Sequence, residues 1–212
     1  MTIANLVPAI YSPLVTSKEI SMIRTALLQA YAHSLLIDIP KTLRGNELFP
    51  LVCNVLADYF VIGLCQAGEI PYTYTESFNQ AKNCHHAKFT HKNNGRVQFT
   101  ISKTDNPGMC PRKSVFRTKY AANNRQQTLW VDEEIIDETA YLIYTHGGTW
   151  GDCSFLSVGF PQSNTHGWVS DPWIFYHKPD KETNQPVAEP DNNVHKKPKL
   201  KEDLMQYVIE RL

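Results

Sequence analysis

The chain has 212 residues, of which 42% are hydrophobic and 11% aromatic, as is typical of a soluble globular protein with a core of its own. Its 21 basic and 21 acidic residues cancel, so the net charge identifies no class of partner. Only the distribution of charge along the chain can indicate one.

Two helices are predicted in the N-terminal part. The segment TSKE, residues 16–19, has the form of a capping box, and apolar residues then recur at three- and four-residue spacing as far as Tyr31. A second helix is predicted from about residue 47 to residue 66, and it is apolar nearly all round. It is almost long enough to span a membrane, but Asn54 and Asp58 lie in its middle, where a charge is costly in lipid. We therefore predict a core helix and no membrane partner.

The apolar pattern then changes from helical spacing to alternation. RVQFTISK, residues 96–103, alternates strictly and predicts a half-buried strand. Four further strands are predicted at SVFRTKY (114–120), TLWV (128–131), TAYLIYTH (139–146) and SFLSVGF (154–160). Since no helix is predicted between them, we expect an α+β fold in which an antiparallel sheet of about five strands packs against the two N-terminal helices.

The globular domain is predicted to span residues 1–177. Within it HGWVSDPWIFYH, residues 166–177, is too apolar for an ordinary loop and is expected to cover an edge of the sheet. Residues 178–199 hold four prolines and almost no apolar residue, which predicts a flexible linker. Residues 200–212 resume helical spacing and predict a tethered amphipathic C-terminal helix. We expect it to dock on its own domain, on a second copy of the chain or on another protein.

Positive charge is concentrated in one block. Residues 82–126 contain ten Lys or Arg and a single acid, Asp105, whereas five acids follow between residues 132 and 138. If the two blocks met in space they would form surface ion pairs of small energy. If the cations instead share a sheet face, a bound polyanion relieves their repulsion, so we predict binding of nucleic acid, either RNA or DNA. The predicted contacts are Lys88, Lys92, Arg96, Lys103, Arg112, Lys113, Lys119 and Arg125.

The basic block begins with a histidine-rich stretch, KNCHHAKFTHKNNGR, residues 82–96. RNA cleavage by its own 2′-hydroxyl needs a general base, a general acid and cations, which His, Arg and Lys supply. The candidate catalytic residues are His91, His146, Arg117 and Tyr120, provided that the strand ends carrying the two histidines meet. The resulting hypothesis is a metal-independent endoribonuclease that acts as a toxin or phage-defence effector.

The cysteines are widely spaced, and no CxxC pair occurs. Because the N-terminus also lacks the features of a signal peptide, we expect a cytoplasmic protein with free thiols. A zinc site is a minority alternative, since the spacing of its candidate ligands does not match the usual zinc motifs. Those ligands are Cys84, His85, His86, His91 and Cys110.

No cofactor is expected, because the chain has no glycine-rich phosphate loop, GxSxG or HExxH motif. Besides the nucleic-acid hypothesis, a second function class remains open. In it the protein is a non-enzymatic interaction or inhibitor module, and its basic face binds an acidic protein partner.

Overall fold

The computed structural model of the protein describes residues 11–12, 14–37, 43–78, 85–93, 95–125, 140–163, 166–178, 204 and 206–207. Three sequence predictions fall outside these residues: the strand at 128–131, the acidic segment 132–138 and nearly all of the linker 178–199.

The first helix, α1 (Ser17–Ser34), begins with the predicted capping box. The Thr16 hydroxyl accepts a hydrogen bond from the backbone N–H of Glu19 at 3.2 Å, and the Glu19 carboxylate accepts one from the backbone N–H of Thr16 at 2.6 Å. These bonds satisfy donors that a helix start otherwise leaves without a partner, so the prediction of this helix start is confirmed.

The second helix, α2 (Leu43–Gln66), is the predicted core helix and begins a few residues earlier than expected. Its side chains Val52, Leu56 and Val61 are fully buried. Among the described residues, its part Leu48–Gln66 is long and apolar enough to cross a membrane, and 56% of it is buried inside the protein. The two helices pack against each other, and α1 also contacts β5 while α2 contacts β1, β2 and β3.

Six strands form one mixed sheet, in which their order follows the chain. They are β1 (Tyr72–Phe78), β2 (His85–His91), β3 (Val97–Lys103), β4 (Ala140–Thr149), β5 (Asp152–Gly159) and β6 (Trp173–His177). Neighbouring strands are antiparallel except β3 and β4, which run parallel. The α+β class is confirmed, but the prediction of a purely antiparallel sheet of about five strands is wrong. Alternation reveals a strand but not its direction, which depends on where the chain returns to the sheet.

The segment SVFRTKY is not a strand but the helix α3 (Val115–Tyr120), followed by a 3-10 turn, Ala121–Arg125. The Ser114 hydroxyl caps it by accepting a hydrogen bond from the backbone N–H of Arg117 at 3.4 Å. Over so few residues an alternating pattern does not distinguish a strand from a helix turn, and the serine cap favours the helix. Phe116 and Tyr120, one turn apart, therefore lie on the same side of α3.

The sheet has an inner face, covered by α1 and α2, and an outer face, which α3 crosses. Three aromatic side chains point inward, and the ring of Phe99 contacts those of both Phe89 and Tyr144. On the outer face the ring of Tyr141 meets that of Tyr120 of α3 at 5.4 Å. Alternation along each strand thus sends neighbouring residues to different environments.

The C-terminal segment reaches back to the inner side of the domain. Leu204 is only 4% exposed and belongs to the main core. The Tyr207 hydroxyl donates to Glu76 at 2.9 Å, and its ring meets that of Tyr59 edge-on at 4.9 Å. The rest of the predicted C-terminal helix lies outside the described residues, so the helix itself stays a prediction.

Candidate nucleic-acid interface

His146, one of the candidate catalytic residues, is a core residue on the inner face of β4 and is completely buried. Its Nδ1 accepts a hydrogen bond from the Tyr31 hydroxyl at 2.9 Å, and its Nε2 lies 3.2 Å from Oδ1 of Asn54. This Oδ1 also accepts from the backbone N–H of Lys103 at 2.7 Å, which identifies it as the amide oxygen and Nε2 as the protonated nitrogen. Burial, with a smaller contribution from Lys103, lowers the pKa of His146 to about 3. The ring is therefore neutral and structural.

His91 also points to the inner face, at the end of β2. Its ring meets that of Tyr72 edge-on at 5.0 Å, and its Nε2 lies 3.7 Å from a carboxylate oxygen of Glu19. The side chain is 16% exposed, so only a small part of the ring reaches solvent. Because Glu19 belongs to α1 and Tyr72 to β1, His91 lies in the contact between this helix and the sheet.

The two histidines lie at opposite ends of β3. The register places Thr90 beside Gln98, which sets His91 at the Val97 end, while His146 lies beside Lys103. The six residue-to-residue steps from Val97 to Lys103 separate these ends by about 20 Å. Because Arg117 and Tyr120 lie over the outer face, the sheet also stands between them and both histidines. The structure does not bring the four candidate catalytic residues together.

Cations and aromatic rings do converge on the outer face, where α3 crosses β2, β3 and β4. The Phe116 ring stacks on His86 of β2 at 3.9 Å, with 9° between the planes. The ammonium of Lys88 lies 4.9 Å from the centre of the Tyr120 ring. We call this group the outer-face cluster. It consists of Lys88, Arg112, Lys113, Phe116, Arg117, Lys119 and Tyr120.

Arg117 is the member of the outer-face cluster that is held most firmly. Its Nη1 donates to the backbone carbonyl of Arg112 at 2.6 Å, and its Nη2 donates to the Ser102 hydroxyl of β3 at 2.9 Å. The guanidinium also lies 5.1 Å from the centre of the Phe116 ring. These contacts orient a charged, planar donor group at the surface before any ligand arrives.

The remaining predicted contacts lie elsewhere. Lys92 and Arg96 flank the turn between β2 and β3. Lys103 lies on the inner side, with its ammonium 5.4 Å from the centre of the Phe49 ring. The side chain of Arg125 is outside the described residues. The basic block of the sequence is therefore divided by the fold, and only part of it forms one surface.

A shallow depression adjoins the outer-face cluster, with an empty volume of about 280 Å³ that includes the open solvent at its mouth. Lys113, Arg117 and Thr118 line one side, and residues of the segment after β5 line the other. The lining residues not predicted as functional are Cys110, Pro111, Thr118, Ile143, Pro161, Gln162 and His166. Gln162 and His166 carry no motif. Their segment is held near α3 by the Asn124 side chain, which donates to the Pro161 carbonyl at 3.0 Å, and by the isolated bridge between Pro161 and Trp168. No pattern in the sequence could have indicated them.

The described cysteines are free thiols, and burial raises the pKa of each. The pKa rises to about 12 for Cys53 and Cys153, which makes a thiolate nucleophile at either position unfavourable. In the described part of the chain no three His, Cys, Asp or Glu residues lie close enough to hold a metal ion. Of the minority zinc set, His86 and His91 point to opposite faces, while Cys84 and the side chain of His85 lie outside the described residues.

Comparison with known proteins gives no family for this chain. No model of a protein family matches it, and neither does any curated protein or solved structure with which it was compared.

Proposed function

We propose that the protein binds nucleic acid through the outer-face cluster. The observation that carries this proposal is the convergence of cations from two separate parts of the chain, Lys88 on β2 and the segment 112–119, on one face of the sheet. Arg and Lys contacts to phosphates supply most of the affinity of such surfaces. Since the net charge of the chain is zero, attraction of a polyanion depends on this local concentration of charge.

The aromatic members of the cluster support a single strand as the ligand. Phe116 and Tyr120 lie one helix turn apart and are each partly exposed among the cations. Aromatic rings beside a cationic surface provide planes on which unpaired bases stack, and this stacking tolerates any sequence. We therefore propose single-stranded RNA or DNA, without sequence specificity, as the ligand class.

Cleavage of the strand is not part of the proposal. His91 and His146 lie beneath the sheet and at opposite ends of β3, and Arg117 and Tyr120 lie above it. A general acid and a general base both need to reach the same phosphate, within hydrogen-bond distance of the protons that they transfer. Binding needs no such convergence, and the proposal relies on the cations and rings alone.

The test is fluorescence anisotropy with short labelled RNA and single-stranded DNA of mixed sequence over a salt series. We expect binding at low salt, with an affinity that falls steeply as salt rises. Replacing both Arg112 and Lys119 by Gln should make the negative slope of log affinity against log salt less steep by about 1.4. Each lost phosphate contact accounts for about 0.7 of this change.

The matched control is Lys18→Gln, which removes an exposed lysine from α1 on the opposite side of the sheet. It should leave both the affinity and the salt slope unchanged. Absence of binding by the wild-type protein at low salt would overturn the proposal, and so would an equal effect of the Lys18 substitution.

A further inference from the structure

We infer that the depression beside α3 binds a phosphate monoester, namely the terminal phosphate of the nucleic-acid strand. This inference rests on the proposed function and deepens it, because it identifies which part of a strand the surface recognises. Three of the depression's nine described lining residues come from the segment that follows β5, which no sequence pattern indicated.

The charge of the depression suits an anion. Lys113 and Arg117 line it, and no acidic side chain is among its described lining residues. Polar side chains complete the rim, whereas Ile143 and Pro161 form apolar lining. The polar side chains are Thr118, Gln162 and His166. The Thr118 hydroxyl already donates to the Ser114 carbonyl at 3.0 Å, and the Gln162 amide donates to the Trp168 carbonyl at 2.8 Å. Two cations without a neighbouring acid suit a phosphate group, which charge-assisted hydrogen bonds stabilise.

Arg117 is prepared for this role by its own hydrogen bonds. The contacts of Nη1 with the Arg112 carbonyl and of Nη2 with the Ser102 hydroxyl fix the plane of the guanidinium. A fixed guanidinium loses little conformational entropy when it binds an anion. The side chain is half-buried, so its attraction for an anion is screened less than that of an exposed lysine.

Size and charge distinguish a terminal phosphate from an internal one. The empty volume of about 280 Å³ includes the open solvent at the mouth of the depression, so the enclosed part has room only for a small group. A terminal monoester projects from the end of a strand and carries close to two negative charges at neutral pH. An internal phosphate carries one and has a sugar on each side, which would hold it away from the lining. The two cations therefore match a terminal phosphate best.

The experiment compares oligonucleotides of one sequence with a 5′-phosphate, a 3′-phosphate or hydroxyl groups at both ends. We expect the wild-type protein to bind one of the two phosphorylated strands, 5′ or 3′, about tenfold more tightly than the strand with hydroxyl groups at both ends. One or two charge-assisted hydrogen bonds provide a difference of this size. Lys113→Gln and His166→Ala, which change exposed residues that line the depression, should each reduce this ratio. Arg117→Gln should abolish it, and circular dichroism will show whether that variant keeps its fold.

Lys119→Gln is the matched control, because Lys119 is an exposed lysine of the same helix that does not line the depression. It should weaken binding of all three strands equally and leave the ratio unchanged. Equal affinity of the wild-type protein for phosphorylated and hydroxyl strands would overturn this inference while leaving the proposed function intact. Absence of binding by every strand would instead overturn the proposed function.

The source of the phosphate is tested by competition. A nucleoside monophosphate and inorganic phosphate should displace the phosphorylated strand only at concentrations well above that of the strand, because they lack contacts with the rest of the outer-face cluster. Displacement at equal concentration would show that the depression recognises a small free phosphate, which would overturn the assignment of the strand end.

Discussion

His146 connects α1, α2 and β4 through hydrogen bonds to Tyr31 and Asn54, and its neutral form is the one that these partners fit. Nε2 must donate to the Asn54 oxygen while Nδ1 accepts from the Tyr31 hydroxyl. Protonation of Nδ1 would require the Tyr31 hydroxyl to rotate and accept instead, and it would bury a charge. The ring that the sequence predicts as catalytic is thus a structural group whose charge state matters for stability.

Stability is therefore expected to fall with pH through the titration of His146. Its pKa is about 3 in the folded protein, compared with 6.5 when unperturbed, so the unfolded chain alone takes up a proton between these values. The free energy of unfolding should decrease as pH falls from about 6.5 towards 3, by up to about 5 kcal/mol from this residue. Urea unfolding at several pH values will measure it. The slope of the unfolding free energy against pH should be smaller in His146→Gln. In His177→Gln, which changes an exposed histidine, the slope should match that of the wild-type protein.

At the scale of elements, the β4–β5 hairpin shows why its glycines are needed. Gly148 has a φ of +151°, and Gly151 has a φ of +75°. A Cβ added at Gly148 would lie 2.1 Å from the backbone oxygen of Asp152, which is far inside van der Waals contact. The close approach of two backbones at the register shift between Gly147 and Gly148 therefore leaves no room for a side chain.

Gly148→Ala should destabilise the protein by about 2 kcal/mol or more, because the clash is with backbone that cannot rotate away. Gly63→Ala is the control within α2, where an added Cβ meets nothing within 4 Å. That change should stabilise the protein by about 0.5–1 kcal/mol, as alanine is the better helix former. Thermal unfolding of both variants will measure the two effects. A neutral Gly148 substitution would contradict the described hairpin geometry.

At the scale of the whole molecule, the sheet binds α2 on its inner side through polar residues. There Asn54 and Asp58 of α2 accept hydrogen bonds from the backbone N–H groups of Lys103 and Ala87. On its outer side, Lys113 and Lys119 are exposed. The C-terminal segment belongs to the inner side, where Leu204 joins the core of the same chain.

Removal of the Leu204 side chain should therefore destabilise the domain itself. Leu204→Ala is expected to cost about 2 kcal/mol, and the midpoint of unfolding should not depend on protein concentration, because the contact is within one chain. Tyr207→Phe, which removes only the exposed hydrogen bond to Glu76, should cost well under 1 kcal/mol. A midpoint that rises with protein concentration would show instead that the segment docks on a second copy.

The sequence alone determined the features that depend on neighbouring residues. The capping box at Thr16, the burial of α2 and the strand at 97–103 follow from local hydrogen bonds and from apolar periodicity, which act over a few residues. The excess of cations in residues 82–126 was equally visible.

Only the tertiary structure decided which residues meet. The parallel pairing of β3 with β4, the burial of His146 and the position of Gln162 and His166 beside α3 depend on contacts between distant segments. Such contacts leave no periodic pattern, because the side of the sheet on which a chain returns is set by the packing of the whole core. For the same reason the sequence grouped His91, His146 and Arg117, whereas the fold places a sheet between the histidines and the arginine.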